Sequence, residues 1–175
     1  MTSRSSAAAN RGTVIRLLLI VPPGRLPFIL RSDRIGSGFA EHLDPAALVI
    51  GPTGVGLGRN GTLYVADTVA NRIAAIPHAV FRVTSAGRGA TVSQGRALKG
   101  PLGLVVAPGG DILTVNSGNG KLVETTPFGL QVAVRTLDRS GSPPGAGALF
   151  GLAVKPHHRA VYFVDDATNT FELLH

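Results

Sequence analysis

The stretch GPTGVGLGRNGTLYVADTVANRI, Gly51–Ile73, returns 49 residues later as GPLGLVVAPGGDILTVNSGNGKL, Gly100–Leu122. Both copies run through the same parts. An apolar segment follows Gly-Pro, a turn is marked by Asn60-Gly61 or Pro108-Gly109-Gly110, a second apolar segment ends in Asp67 or Asn116, and a third follows Arg72 or Lys121. A third copy opens one residue early at Gly147-Ala148-Leu149-Phe150-Gly151, and the longer turn around His157-His158-Arg159 restores the register. Asp67, Asn116 and Asp165 are therefore equivalent, as are Ile73, Leu122 and Phe171. Short apolar runs punctuated by Gly, Pro and Asn form antiparallel strand meanders. A period between 40 and 50 residues with three or four strands per unit points to propeller blades, because solenoid repeats of that length are normally helical. Fourth strands are predicted at Thr91–Ser93 and Gln131–Thr136. The expected fold class is all-β: a partial β-propeller of about three blades, with units near 51–99, 100–146 and 147–175.

The pattern Pro-x-Gly-Val-x-x…Gly-x-Leu-Tyr-Val-Ala-Asp-Thr-x-x-Asn-Arg-Ile, intact from Pro52 to Ile73, resembles the NHL repeat. The later copies are looser: Asn116-Ser117-Gly118 replaces Asp-Thr, and Thr170 stands where the Arg would be. The resemblance covers about residues 35–175 and specifies blade type more than function. Six blades are usual in that family, so the resemblance implies the C-terminal half of a six-bladed ring, truncated at its N-terminal side. The last unit reaches only its third strand, Phe171–His175, leaving the outer strand to come from elsewhere.

Residues 1–34 show no blade motif and differ in composition. They carry six Arg against Asp33 alone, whereas from residue 35 onward eleven Lys or Arg face nine Asp or Glu. The segment is set apart as an atypical basic region, disordered or folded as a stray outer strand. The formal net charge of +7 is thus concentrated at one end. The body has no basic cluster interleaved with aromatics, which argues against a nucleic-acid partner. Val14–Pro22 is apolar but is interrupted by Arg16 and ends at Pro22-Pro23, too short for a membrane span. It has the basic lead and short apolar run of an export signal, but no small-residue cleavage pair before Gly24-Arg25. Cysteine is absent, so disulfides and thiolate chemistry are excluded.

Asp67, Asn116 and Asp165 are the candidate axial or turn residues, since equivalent blade positions converge around a propeller channel. The competing reading is structural. A carboxylate or amide closing the second strand, followed by Thr68, Ser117 or Asp166 and then Asn71, Asn119 or Asn169, suits a tight turn that needs its backbone N–H groups satisfied. His42, His78, His157, His158 and His175 fall at no repeated position. Gly54-Val55-Gly56-Leu57-Gly58 lacks the following helix and Lys-Ser/Thr pair of a phosphate loop, so its glycines are read as close packing near the axis.

The expected function is a non-catalytic propeller scaffold binding a protein or other macromolecule, with no catalytic residue and no cofactor assigned. The chain is also readable as a fragment without independent function. The alternative is a metal-dependent lactonase, hydrolase or lyase, whose cofactor would be calcium or another divalent ion. An incomplete ring exposes a blade face and a strand edge, and a homodimer completing the ring is one expected partner arrangement.

Overall fold

A computed structural model describes residues 9–45, 48–156 and 160–175. The inner strand of each unit begins where Gly-Pro or its counterpart ends a connection, and a Gly- or Pro-marked turn reverses the chain into the next strand. In this way β4 (Pro52–Leu57), β5 (Leu63–Asp67), β6 (Arg72–Ile76) and β7 (Ala90–Gln94) form an antiparallel four-stranded sheet. The strands β8 (Pro101–Val106), β9 (Ile112–Asn116), β10 (Lys121–Thr125) and β11 (Gln131–Thr136) form the next. The third unit gives three strands, β12 (Leu149–Val154), β13 (Val161–Asp165) and β14 (Thr170–Leu174). The predicted fourth strands are present as β7 and β11.

Registers repeat as the sequence does. The pairs Pro52↔Asp67, Pro101↔Asn116 and Leu149↔Asp165 open the three inner hairpins, and each is followed by a bulge before the ladder resumes at Val55, Leu104 or Leu152. A bulge bends its strand and sharpens the twist, and a glycine occupies it each time. A Cβ on Gly54 would lie 2.3 Å from the Leu102 carbonyl oxygen, and one on Gly103 would lie 2.4 Å from that of Phe150. Neighbouring inner strands therefore touch backbone to backbone at these bulges.

A fourth sheet precedes the three units. It is built from β1 (Ala9–Ile20), β2 (Phe28–Asp44) and the short β3 (Leu48–Ile50), in the order β1-β2-β3. The turn between β1 and β2 has Arg25 N–H donating to the Pro22 carbonyl at 3.3 Å, with Gly24 at φ +66°. Residue 34 falls inside β2, so the basic segment from Ala9 onward is part of a hairpin continuous with the first blade-like sequence.

Apolar clusters fill the three spaces between successive sheets. Val14, Ile35 and Phe39 pack against Val65, Ala74 and Ile76 of the second sheet. Tyr64, Ala66 and Ile73, on the other face of that sheet, pack against Leu104, Ile112 and Val123 of the third. Val115 and Leu122 meet Leu149, Val161 and Phe163 of the last. Because side chains alternate across a strand, each sheet presents one apolar face forward and one backward, which is the stacking of propeller blades. Among the described residues, no helix is long and apolar enough to cross a membrane.

Candidate functional site

The inner strands β4, β8 and β12 line a trough of about 770 Å³, with Ile50 and Asp44 at one side. Its walls are aliphatic and aromatic: Val55, Leu102, Leu104, Phe150 and Leu152. The polar groups at its edge are drawn into the scaffold. Thr53 Oγ1 lies 2.9 Å from Thr68 Oγ1 and donates to the Leu102 carbonyl at 3.0 Å, while Thr68 donates to the Pro101 carbonyl at 2.8 Å. Ser117 donates to the Gly100 carbonyl at 3.0 Å. Thr53 and Thr68 thereby tie the second sheet to the start of β8, and Ser117 ties the end of β9 to the residue before β8.

Asp67, Asn116 and Asp165 do not line the trough. Each is buried at the end of its second strand, and each does something different. Asp67 Oδ2 accepts from Arg72 Nε at 2.7 Å across the β5–β6 hairpin. The same guanidinium donates to Thr91 Oγ1 and the Arg88 carbonyl, and lies 5.9 Å from the centre of the Phe39 ring. Asp67 thus orients an arginine that ties the third strand to the fourth and to the preceding sheet. Asn116 donates to the Ala97 carbonyl and to Asn119 Oδ1, fastening the connection between the second and third sheets. Only Asp165 accepts from turn N–H groups, those of Ala167 at 3.0 Å and Thr168 at 3.4 Å. Oδ1 of both Asp67 and Asn116 is buried without a hydrogen-bond partner.

The tight turn itself is made by the next repeated position. Asn71, Gly120 and Asn169, spaced by the 49-residue period, all have left-handed φ, at +51°, +61° and +57°. Asn and Gly tolerate that region better than other residues. Asn71 also accepts the Gly100 N–H at 2.7 Å, so one side chain closes a turn and fixes the next sheet.

A calcium ion takes six to eight oxygen ligands, several of them carboxylates. The trough lining offers one carboxylate, Asp44, and the side-chain hydroxyls of Thr53 and Ser117, a smaller and less charged set than such an ion takes. No group of three or more His, Cys, Asp or Glu side chains that could hold a metal occurs among the described residues. His42 lies on β2 and His78 in the connection after β6. His157 and His158 lie outside the described residues.

A second concavity, of about 940 Å³, lies between β1 and β4 and is lined by Ile15, Leu17, Leu18, Val55, Leu57 and Phe81, among others. At its rim Asp33, itself buried, is gripped by Arg16 and by Arg31, the latter at 2.8 Å. Burial alone would raise the Asp33 carboxyl, but the hydrogen bonds and charges of Arg16 and Arg31 outweigh it and hold its pKa below the ordinary 3.8. The sequence signal of this clamp is the spacing Arg31-Ser32-Asp33, because alternation places Arg31 and Asp33 on one face of a strand.

No family model matches the chain, and no curated protein matches it. Solved structures do. A catalytically inactive virginiamycin B lyase from Staphylococcus aureus, solved with quinupristin, is 12% identical, with a TM-score of 0.52 over 90% of this chain and 51% of that one. Regucalcin, a calcium-binding protein from Agrobacterium tumefaciens, is 18% identical, with a TM-score of 0.52 over 78% of this chain and 46% of its own. A luciferin-regenerating enzyme is 10% identical, with a TM-score of 0.53 over 72% and 43%. The chain spans about half the length of these propellers. At such identities the likeness establishes the fold alone: this chain has a partial β-propeller fold.

Proposed function

We propose that the chain is a partial NHL-type propeller that acts as a non-catalytic scaffold, binding a protein or another macromolecule on its inner-strand trough. The observation that carries this reading is the trough's chemistry. Its walls are apolar, and its hydroxyls are spent on holding strands together. Such a surface favours a partner through desolvation of aliphatic and aromatic area rather than through charge or nucleophilic chemistry. The intact Pro52–Ile73 pattern supports the NHL assignment. The metal-dependent lyase, hydrolase or lactonase reading draws support from the fold of its neighbours, but the trough residues do not supply the ligands it needs.

A photo-crosslinking amino acid placed at Leu152, in the trough, tests the binding surface in cells that express the protein. The control position is Arg135, exposed on the outer strand β11. A discrete adduct from Leu152 and none from Arg135 is the expected outcome. No adduct from Leu152, or equal labelling at both positions, contradicts the assignment.

A further inference from the structure

The concavity between the first and second sheets owes its shape to the way the β1–β2 hairpin leans on the second sheet. At one end the contact is tight. A Cβ on Gly12 would lie 2.7 Å from Pro52 Cδ, and one on Gly36 would lie 2.8 Å from Ile76 Cδ1. Farther along the hairpin the gap of about 940 Å³ opens. Leu18 of β1, Val55 and Leu57 of β4, and Phe81 and Val83 of the connection after β6 line it, and each is between 48% and 85% exposed. Apolar side chains from three elements thus converge on a space that none of them fills. Both walls are strands of this chain, and the volume is that of a small-molecule cleft, about 300–1,000 Å³.

The ionisable side chains of the lining are Arg16 and Arg31. In the β1–β2 ladder Arg16 stands opposite Asp33 and Leu18 opposite Arg31, so alternation sets both guanidiniums beside Leu18 on one face of the hairpin. Arg16 also reaches across to the second sheet's connection, donating from Nη1 to the Val80 carbonyl at 2.5 Å. Arg31 is half-exposed. Asp33 grips both from behind and is not part of the lining. The other acids of residues 9–94 are placed elsewhere: Glu41 and Asp44 near the far end of β2, and Asp67 in its ion pair with Arg72. Of the neighbouring cations, Arg34 alternates to the opposite face of β2, and Arg82 donates to the Pro77 carbonyl. Two lining cations therefore meet one carboxylate, and the head of an apolar concavity keeps one positive charge in excess.

We infer that this concavity is a binding site for a long-chain carboxylate, its head on Arg16 and Arg31 and its alkyl chain between β1 and β4 against Leu57 and Phe81. A guanidinium fork matches the planar carboxylate, and a single negative charge balances the excess. A cationic head would meet two guanidiniums, and a dianionic one would leave negative charge in excess beside Asp33. Desolvation of the chain against aliphatic and aromatic side chains supplies the remaining affinity. The site shares only the β4 wall with the trough.

Dodecanoate, kept below its micelle-forming concentration and titrated calorimetrically into the full chain, should bind near one per chain, and dodecyltrimethylammonium should not saturate. Arg31→Gln should weaken dodecanoate by about tenfold or more, the worth of one charge-assisted hydrogen bond, with an unchanged circular dichroism spectrum. The native chain has no cysteine, so Phe81→Cys in the concavity and Phe128→Cys in the exposed turn between β10 and β11 locate the ligand. Dodecanoate should slow maleimide labelling of the first and leave the second unchanged. Equal binding of the two amphiphiles, or labelling of Phe81→Cys at one rate with and without dodecanoate, overturns the inference. Binding to phosphatidylglycerol vesicles without saturable binding of dodecanoate also overturns it, assigning the surface to a membrane. Crosslinking at Leu152 reports the trough alone, so the two proposals fail separately.

Discussion

At the scale of single residues, Asp33, Asp67 and Asn116 hold the blades together through partners on neighbouring strands and connections. Asp33 is the clearest case, because two guanidiniums stabilise its ionised form. A carboxyl whose folded pKa lies below its unfolded value contributes stability at pH above the unfolded pKa and loses it as pH falls through the folded one. The clamp is therefore intact at neutral pH and fails below about pH 3.8. Urea midpoints measured from pH 5 down to pH 2 should fall more steeply for the native chain than for Asp33→Asn; parallel curves would deny the clamp any role. The Asp67–Arg72 pair depends on the register in another way. Its two residues are separated by the hairpin turn and become opposite neighbours only when β5 and β6 pair. Asp67, Asn116 and Asp165 stand in the sequence as axial or turn candidates, and Asp165 accepts hydrogen bonds from its turn. Asp67 and Asn116 took other partners because Arg72 and the Ala97 carbonyl come within reach through register and sheet stacking, which local spacing does not encode.

At the scale of elements, the repeated bulge sets how closely the inner strands approach. A methyl group on Gly103 has no room against the Phe150 carbonyl oxygen, so Gly103→Ala must move the inner strands apart. Overpacking of this kind costs roughly 1–3 kcal/mol. Equilibrium urea denaturation should show that loss for Gly103→Ala and little change for Gly109→Ala, where a Cβ meets open space; equal effects would mean that the bulge contact is not close. The blade strands were legible because the period repeats three times and Gly-Pro, Asn-Gly and Pro-Gly-Gly mark the same turns. The β1–β2 hairpin was not. Leu17–Val21 is a continuous apolar run without alternation, so neither period stands out. Pro22-Pro23-Gly24-Arg25 looked like the end of that run, yet it is the turn that folds it back on Phe28–Leu30.

At the scale of the whole molecule, stacked sheets leave an apolar trough along the inner strands and a second concavity between the first two sheets. Charge separation along the chain was visible in the sequence, but only the fold places the arginines of residues 9–34 on a hairpin at one end of the stack. The trough was equally hidden. Val55 and Phe150 look like core residues in the sequence, yet both are exposed in the shared concavity, while Leu104 joins its wall to the core between the second and third sheets. The central claim is that this concavity binds a macromolecule and holds no catalytic cation. Isothermal titration of calcium into the purified protein tests it most directly. Heats no larger than dilution, with no saturation, are the predicted result. Saturable binding near one ion per chain, abolished by Asp44→Asn, would contradict the scaffold account and move the protein to the metal-dependent propeller enzymes.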